Sequence, residues 1–299
     1  MTTRRWIRGA AGAAAALALC AATRTAAAQD ATTAQIVAGQ KMSDDIAIAT
    51  LGLEMRWWWF NLDGGTKLTD QDPSGATLQG NALKWGEEYE LDTANAAPEL
   101  AAELKFGGKG WGCIGTYMEM GSDGSQFLTE SFTYDGKQYA VGDFVSTALD
   151  LRYGTLLARW MLVENLFGLH LGPTLGVGYV RFDQIVERTS GSPPVTEEAH
   201  ETGRSPLPLI GASARWSIMG TAIVKCDLAG GYAAYDGNRG AWFDATLGIS
   251  YVYKAVLGIG GGLRFLHIDI EKLELEEDIS WAAGRFTLFG VYIALEVRL

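Results

Sequence analysis

Ten stretches of this sequence alternate apolar residues with small or polar ones, and this two-residue period constrains the fold more than any other feature. In residues 240–254, GAWFDATLGISYVYK, the odd positions include Phe243, Leu247 and Tyr251, whereas Asp244 stands at an even position. Successive side chains of a β-strand point to opposite faces of its sheet. The pattern therefore predicts a strand with one apolar and one polar face.

The same alternation predicts an all-β fold of about ten antiparallel strands, within a range of eight to twelve. The segments are 48–61, 98–107, 110–120, 143–160, 166–183, 206–218, 221–235, 240–254, 256–271 and 281–299, and a further hairpin fits inside 66–93. The connections mostly alternate between short turns, such as 107–110, and longer loops, such as 121–142 and 184–205. Antiparallel strands joined in this order predict an up-and-down arrangement.

The N-terminus has the pattern of a secretory signal peptide. Arg4, Arg5 and Arg8 precede an Ala- and Leu-rich stretch, and small residues lead up to a cleavage site after Ala28. A basic start, an apolar middle and a small-residue site are the three parts of such a signal. We expect residues 1–28 to be removed, 29–47 to form a periplasmic N-terminal segment and 48–299 to form a barrel domain.

Charge and cysteine content exclude several functions. Loss of residues 1–28 removes four of 24 basic residues and none of 35 acidic ones, so the mature chain has a net charge near −15. That charge excludes nucleic-acid binding as the main role. Cys113 sorts to a polar strand face and Cys226 to an apolar one, so we expect no disulfide between them, and neither has metal-ligand spacing. The sequence predicts no cofactor and no metal site.

The segregation of short and long connections resembles that of bacterial outer-membrane β-barrels, as does the apolar alternation of the last segment, LFGVYIALEVRL. In that class the short turns and both termini are periplasmic and the long loops are extracellular. The resemblance implies a transmembrane barrel in the outer membrane, with outer-membrane lipid and the barrel-assembly machinery as partners. Leu299 departs from the aromatic residue with which such chains usually end.

The aromatic residues favour lipid on the apolar faces. Trp57, Trp58, Trp59 and Phe60 cluster at one end of the first segment, and Tyr179, Trp216, Tyr251 and Tyr253 lie near strand ends. Aromatic girdles at these positions are typical of membrane barrels. A soluble barrel with an apolar interior would show the same period, and this alternative stays open.

If lipid covers the apolar faces, the opposite faces line the lumen. Their charged residues are seven acidic and seven basic: Glu54, Arg56, Glu103, Lys105, Glu119, Asp150, Arg152, Arg215, Lys225, Asp227, Asp244, Arg264, Glu296 and Arg298. A selective pore needs an excess of one sign, whereas a balanced set favours ion pairs across the lumen. The sequence therefore predicts a structural, surface-binding or narrow-channel role, with a selective porin or transporter as the first alternative and no soluble ligand specified.

The histidines give the second alternative, an enzyme at the barrel rim. His170 is expected in the lumen at mid-strand, His200 in a long loop, and His267 on one strand face with Asp269. Outer-membrane proteases of the omptin class use an Asp/His pair and further acids to activate water. The His-x-Asp order here reverses the omptin order, so we predict exposed polar residues where the strand leaves the membrane and assign no catalytic residue.

Overall fold

The protein is described from a computed structural model, which gives the structure of residues 49–71, 77–84, 94–106, 110–134, 137–190, 195–218, 222–235, 238–253, 256–271 and 281–299. The predicted signal peptide and periplasmic segment lie outside the described residues. Among the described residues, no helix is long and apolar enough to cross a membrane.

Fourteen strands make up the described secondary structure. They are β1 (Ala49–Gln71), β2 (Thr77–Lys84), β3 (Ala94–Phe106), β4 (Trp111–Phe127), β5 (Phe132–Tyr134), β6 (Lys137–Tyr139), β7 (Phe144–Trp160), β8 (Val163–Leu166), β9 (Leu169–Ser190), β10 (Val195–Ile218), β11 (Ala222–Tyr235), β12 (Asn238–Tyr253), β13 (Leu257–Glu271) and β14 (Trp281–Arg298). The ten predicted segments each coincide with one of the ten long strands, which confirms the predicted fold class.

The ten long strands close into one antiparallel barrel. Their order is β10-β11-β12-β13-β14-β1-β3-β4-β7-β9, and β9 pairs back onto β10. The first and last strands meet along 18 paired residues, from Gly52 opposite Arg298 to Thr69 opposite Trp281. Each long strand therefore has a paired neighbour on both sides, although residues 195–209 of β10 pair with β9 alone. The hairpin expected inside 66–93 is present, because β2 pairs with the end of β1.

Several strands are longer than the alternation predicted. Strands β1, β9 and β10 contain 23, 22 and 24 residues, whereas a bilayer needs about 9–11 tilted residues. The expected loops 121–142 and 184–205 are therefore largely strand, which corrects their prediction. These strands are therefore longer than a bilayer requires. The end of the barrel that carries the longer connections is here called the long-loop end, and the opposite end is the short-turn end.

A short hairpin covers the long-loop end. Strands β5 and β6 lie within residues 128–143, here called the cap segment, and the segment is closed at its base by hydrogen bonds between Leu128 and both Gly142 and Asp143. Phe132 and Tyr139 stack at 4.8 Å. Both rings and Leu128 are buried in the same apolar cluster as the barrel interior. The cap segment thus packs directly on the lumen.

Candidate functional site

An apolar band with an aromatic belt at each edge surrounds the barrel. Outward aromatic side chains near the short-turn end are Phe106, Trp111, Trp160, Trp216, Tyr251 and Tyr253, and those at the other edge are Trp57, Trp59, Tyr117, Tyr179, Phe243 and Phe289. Tyr253 follows Phe243 on β12 by ten positions, which corresponds to about 25 Å along the barrel axis. That height matches the lipid-facing band of a membrane barrel. Trp58 and Phe60 do not belong to the belt as predicted, because both point into the lumen.

The polarity of the two strand faces inverts partway along the barrel. On β7, Leu149 and Leu151 are buried inside while Asp150 is exposed outside; nearer the short-turn end, Arg159 is inside and Leu156 is outside. The pairing of β7 with β9 runs through this switch in unbroken register. The backbone therefore keeps its orientation, and the sequence alone changes which face is apolar.

Other strands invert at the same height. Toward the short-turn end the outward and inward residues include Leu175 and Thr174 on β9 and Leu263 and Arg264 on β13, and toward the long-loop end they include Arg181 and Phe182 on β9 and Asp269 and Ile268 on β13. One half of the barrel has lipid-facing walls and a polar interior. The other half has polar walls and an apolar interior, as a water-soluble barrel does.

A chain of ion pairs crosses the polar half of the lumen. It begins at the short-turn end, where Arg298 Nε lies 2.8 Å from Glu296 Oε1. Lys225 Nζ bridges Glu296 Oε2 at 2.7 Å and Glu54 Oε2 at 2.9 Å. Glu54 Oε1 accepts a hydrogen bond from Arg56 Nε at 2.9 Å. The chain alternates in sign, so each charge has an opposite charge as its neighbour.

The chain continues through Glu99, which is 1% exposed. Its carboxylate accepts hydrogen bonds from Arg56 Nη1 at 2.7 Å, from the Tyr153 hydroxyl at 2.6 Å and from Arg264. Arg264 also donates from Nη2 and Nε to the two oxygens of Asp244, at 2.7 and 3.2 Å. Four basic and four acidic residues are joined in this way between Arg298 and Asp244.

A second cluster lies around Glu103. Arg159 donates to Glu103, whose other oxygen is 3.9 Å from Arg215 Nη2. Arg215 forms a two-nitrogen pair with Asp227 at 2.8 and 2.9 Å. Ser213 donates a further hydrogen bond to Asp227 at 2.7 Å. Together, the two clusters connect the charges of the polar half into two groups that are nearly neutral.

Side chains from opposite walls meet at two heights. Strands β7 and β13 are five steps apart in the ten-strand ring, as are β9 and β14. In the polar half, the Arg264 guanidinium lies 5.2 Å from the Tyr153 ring centroid. In the apolar half, the rings of Phe182 and Phe286 are 5.3 Å apart. Side chains of diametrically opposed strands therefore meet across the barrel axis at both heights.

The apolar half forms a continuous core. Its cluster includes Trp58, Phe60, Leu62, Met118, Met120, Leu149, Leu151, Val180, Phe182, Val186, Leu207, Leu209, Trp242, Leu266, Ile268, Ile270, Phe286 and Leu288. Contacts from the cap segment to the long β9–β10 hairpin hold the cap over this core: Lys137 Nζ donates to the Glu198 carbonyl at 2.9 Å, and Arg188 donates to the Gln138 carbonyl. The prediction of a lumen filled by ion pairs is therefore wrong for this half.

Of the 14 predicted lumen charges, the structure places ten in the two clusters: Glu54, Arg56, Glu103, Arg215, Lys225, Asp227, Asp244, Arg264, Glu296 and Arg298. Lys105 lies at the short-turn rim, 57% exposed, with Nζ 3.4 Å from Glu103.

The prediction was wrong for Glu119, Asp150 and Arg152, which lie on the outer face. Glu119 and Arg152 pair with each other there at 2.9 Å, beside exposed Asp150. These residues belong to the half of the barrel in which the polar strand face is outside. The rule that the apolar face meets lipid and the polar face meets the lumen therefore placed them on the wrong side of the barrel wall.

Glu99 and Arg159 are buried lumen charges that were not among the predicted residues. Glu99 shares its strand face with Glu103, a signal that was available. Arg159 lies on the face opposite Arg152, so assigning one face to all of β7 excluded it.

The structure places two of the three histidines elsewhere than predicted. His170 is the second residue of β9, so it lies at the short-turn end and not at mid-strand. His267 is on the outer face of β13, where Nδ1 lies 2.9 Å from Thr287 Oγ1, and Asp269 is bonded by Arg285 at 2.8 Å. His200 belongs to β10, and its side chain lies outside the described residues. No group of three or more metal-ligating side chains occurs in the described part of the chain.

The two cysteines both face outward. Cys113 lies between the buried Gly112 and Ile114, so its side chain points outward and not into the lumen as predicted. Cys226 follows the buried Lys225, so its side chain also points outward. Both are free thiols.

Comparison with known proteins shows similarity in fold but not in sequence. No protein-family model matches the sequence, and no curated protein matches it. Among solved structures, the chain is similar to the outer membrane protease OmpT from Escherichia coli, with 9% identity, a TM-score of 0.52 and coverage of 84% of this chain and 97% of that chain.

Two further structures are less similar. The attachment invasion locus protein Ail of Yersinia pestis has 10% identity, a TM-score of 0.30 and coverage of 82% and 98%. The transport unit of the autotransporter AIDA-I from Escherichia coli has 9% identity, a TM-score of 0.36 and coverage of 88% and 97%. Scores at this level support no inference about this chain. The likeness to OmpT, the closed ten-strand barrel and the belted apolar band together show that the chain has the fold of an outer-membrane β-barrel.

Proposed function

We propose that this protein is a sealed, non-conducting outer-membrane barrel with a structural or surface-binding role. The observation that carries the proposal is the contact between opposite walls at two heights, Arg264 with Tyr153 and Phe182 with Phe286. Ten strands enclose little more space than eight, which side chains nearly fill. An ion would have to break buried pairs and then cross an apolar core, and both steps are unfavourable.

The polar outer wall of the long-loop half supports the surface-binding part of this role. That half is built as a water-soluble barrel, with Asp150, Arg181 and Asp183 on its outside. It would display the β9–β10 hairpin and the cap segment beyond the bilayer. An apolar core makes this projecting half rigid without help from lipid.

Conductance tests the sealed lumen against the selective-channel alternative. Purified protein in a planar bilayer is expected to give no stable current steps, with insertion checked by its heat-dependent shift in gel mobility. A variant in which residues 128–143 are replaced by a short turn is expected to stay silent, because the lumen is filled below the cap. Steps from the wild type would contradict the proposal, and steps from the variant alone would indicate a channel gated by the cap.

The proposed role is non-catalytic. It is supported by the position of His267 on the outer wall, bonded to Thr287, while Asp269 is bonded to Arg285. A water-activating pair needs the two groups in hydrogen-bond reach of each other and of a substrate. Peptide hydrolysis by the wild type that is abolished by His267→Ala would overturn this part of the proposal and favour a rim enzyme.

A further inference from the structure

Three arginines form a row on the outer wall of one sector of the barrel. Arg152 on β7 pairs in register with Arg181 on β9, which pairs in register with Arg204 on β10. The side chains of Arg152 and Arg181 are 40% and 42% exposed, and Arg204 is exposed. Three cations therefore stand side by side on adjacent strands.

The row lies just beyond the aromatic belt. Arg181 is two residues after the outward Tyr179 on β9, and Arg152 is in register with Glu119, two residues after the outward Tyr117 on β4. Two residues of tilted strand correspond to about 5 Å along the axis. The guanidinium groups are thus at the height where lipid headgroups begin.

Side-by-side cations need an explanation, because like charges directly opposite on neighbouring strands are destabilising. Glu119 holds Arg152 through Nε and Nη2, and Asp183 holds Arg181 through the same two nitrogens. Exposed pairs of this kind contribute little. They do fix the direction of two guanidinium groups, and Nη1 of each takes no part in these bonds.

The charges are also layered. The next outward row contains Asp150 and Asp183, which are register partners of each other. The three arginines on β7, β9 and β10 therefore stand nearest the bilayer with one acidic neighbour in their row, Glu119 on β4, and the two aspartates stand one step farther out. A plane of phosphates at the edge of the acyl region would attract the first row and repel the second.

The opposite wall provides a comparison. On β13 and β14 the corresponding outward residues include His267, Asp269, Arg285 and Thr287, where Arg285 is paired with Asp269 and has no second arginine beside it. The described outward residues of β13 and β14 thus form no such row.

We propose that Arg152, Arg181 and Arg204 bind the phosphate groups of an outer-leaflet lipid whose acyl chains lie against the aromatic belt below them. Arginine suits this ligand because its planar fork gives paired hydrogen bonds to phosphate oxygens. The proposal does not depend on whether the lumen conducts.

Native mass spectrometry of the full barrel in detergent tests the proposal, with diphosphoryl lipid A as the probe. The triple variant R152Q/R181Q/R204Q is expected to bind at least tenfold more weakly than the wild type. The control R285Q is expected to bind within twofold of it. A dephosphorylated lipid A is expected to bind the wild type no better than it binds the triple variant.

Equal binding by the wild type and the triple variant would overturn the proposal, as would equal binding of the phosphorylated and dephosphorylated lipids. If free inorganic phosphate competes at the same concentration as the lipid, the ligand is the anion and the assignment to lipid is wrong. Folding of each variant is checked by its heat-dependent gel shift. If the triple variant does not fold, R181Q and R204Q are measured singly, and unchanged binding in both would also overturn the proposal.

Discussion

Replacing Glu99 with alanine removes a carboxylate that binds groups from three other strands. Arg56 and Arg264, which are 7% and 2% exposed, each lose one anionic partner, and Tyr153 loses the acceptor of its hydroxyl. Breaking a buried ion pair by removing one partner costs about 3–5 kcal/mol. In the variant, Glu54 still pairs with Arg56 and Asp244 still pairs with Arg264. We therefore expect the loss in the free energy of unfolding to be at the low end of this range, about 3 kcal/mol.

The free energy of unfolding is measured by urea titration of the barrel in lipid vesicles, followed by gel mobility. Glu119→Ala is the matched control, since it removes the same side chain from an exposed outer pair and should cost about 1 kcal/mol or less. Two variants equal within about 0.5 kcal/mol would refute the reasoning, because that difference is within the range of ordinary surface substitutions.

The other predictions address the apolar half, a close backbone approach and the orientation of the thiols. Phe182→Ala is expected to lower the free energy of unfolding by about 3–5 kcal/mol in the same titration, and a loss no larger than that of the lipid-facing Phe289→Ala would argue against an apolar core. Gly290→Ala is expected to impair folding, because the added Cβ would stand 1.9 Å from the Trp59 carbonyl oxygen. The control Gly115→Ala should fold, because its Cβ would be 3.7 Å from the nearest atom. Equal folding yields of the two variants would contradict this prediction. Cys113 and Cys226 in vesicles should react with a membrane-soluble maleimide and resist a water-soluble one, and rapid reaction with the latter would place the thiol outside the lipid band.

The number and order of the strands could be predicted from the sequence because a two-residue period is a local property. Each of the ten segments carried its own alternation, and none depended on distant residues. The ends of the strands were harder to predict. Residues 184–190 were expected in a loop, but they continue β9 because they pair with β7 and β10.

The site was predicted less well because one face was assigned to each whole strand. On β13 the apolar residues change from Leu263 and Phe265 to Leu266 and Ile268, which marks the inversion in the sequence itself. On β7 the same change was missed, so Asp150 was assigned to the lumen. Periodicity gives the two faces of a strand but not which one meets water, and that depends on the position of the bilayer along the strand.

Accessibility along β7 tests the central claim most directly, the inversion of polarity around a filled lumen. Single spin labels at positions 148–160 in vesicles are probed with oxygen, which concentrates in the bilayer, and with a water-soluble nickel complex. Labels at 156, 158 and 160 should be reached by oxygen and those at 148, 150 and 152 by nickel, whereas those at 149, 151, 153, 155 and 157 should be shielded from both. Nickel access to the last set would show a water-filled lumen and contradict the account.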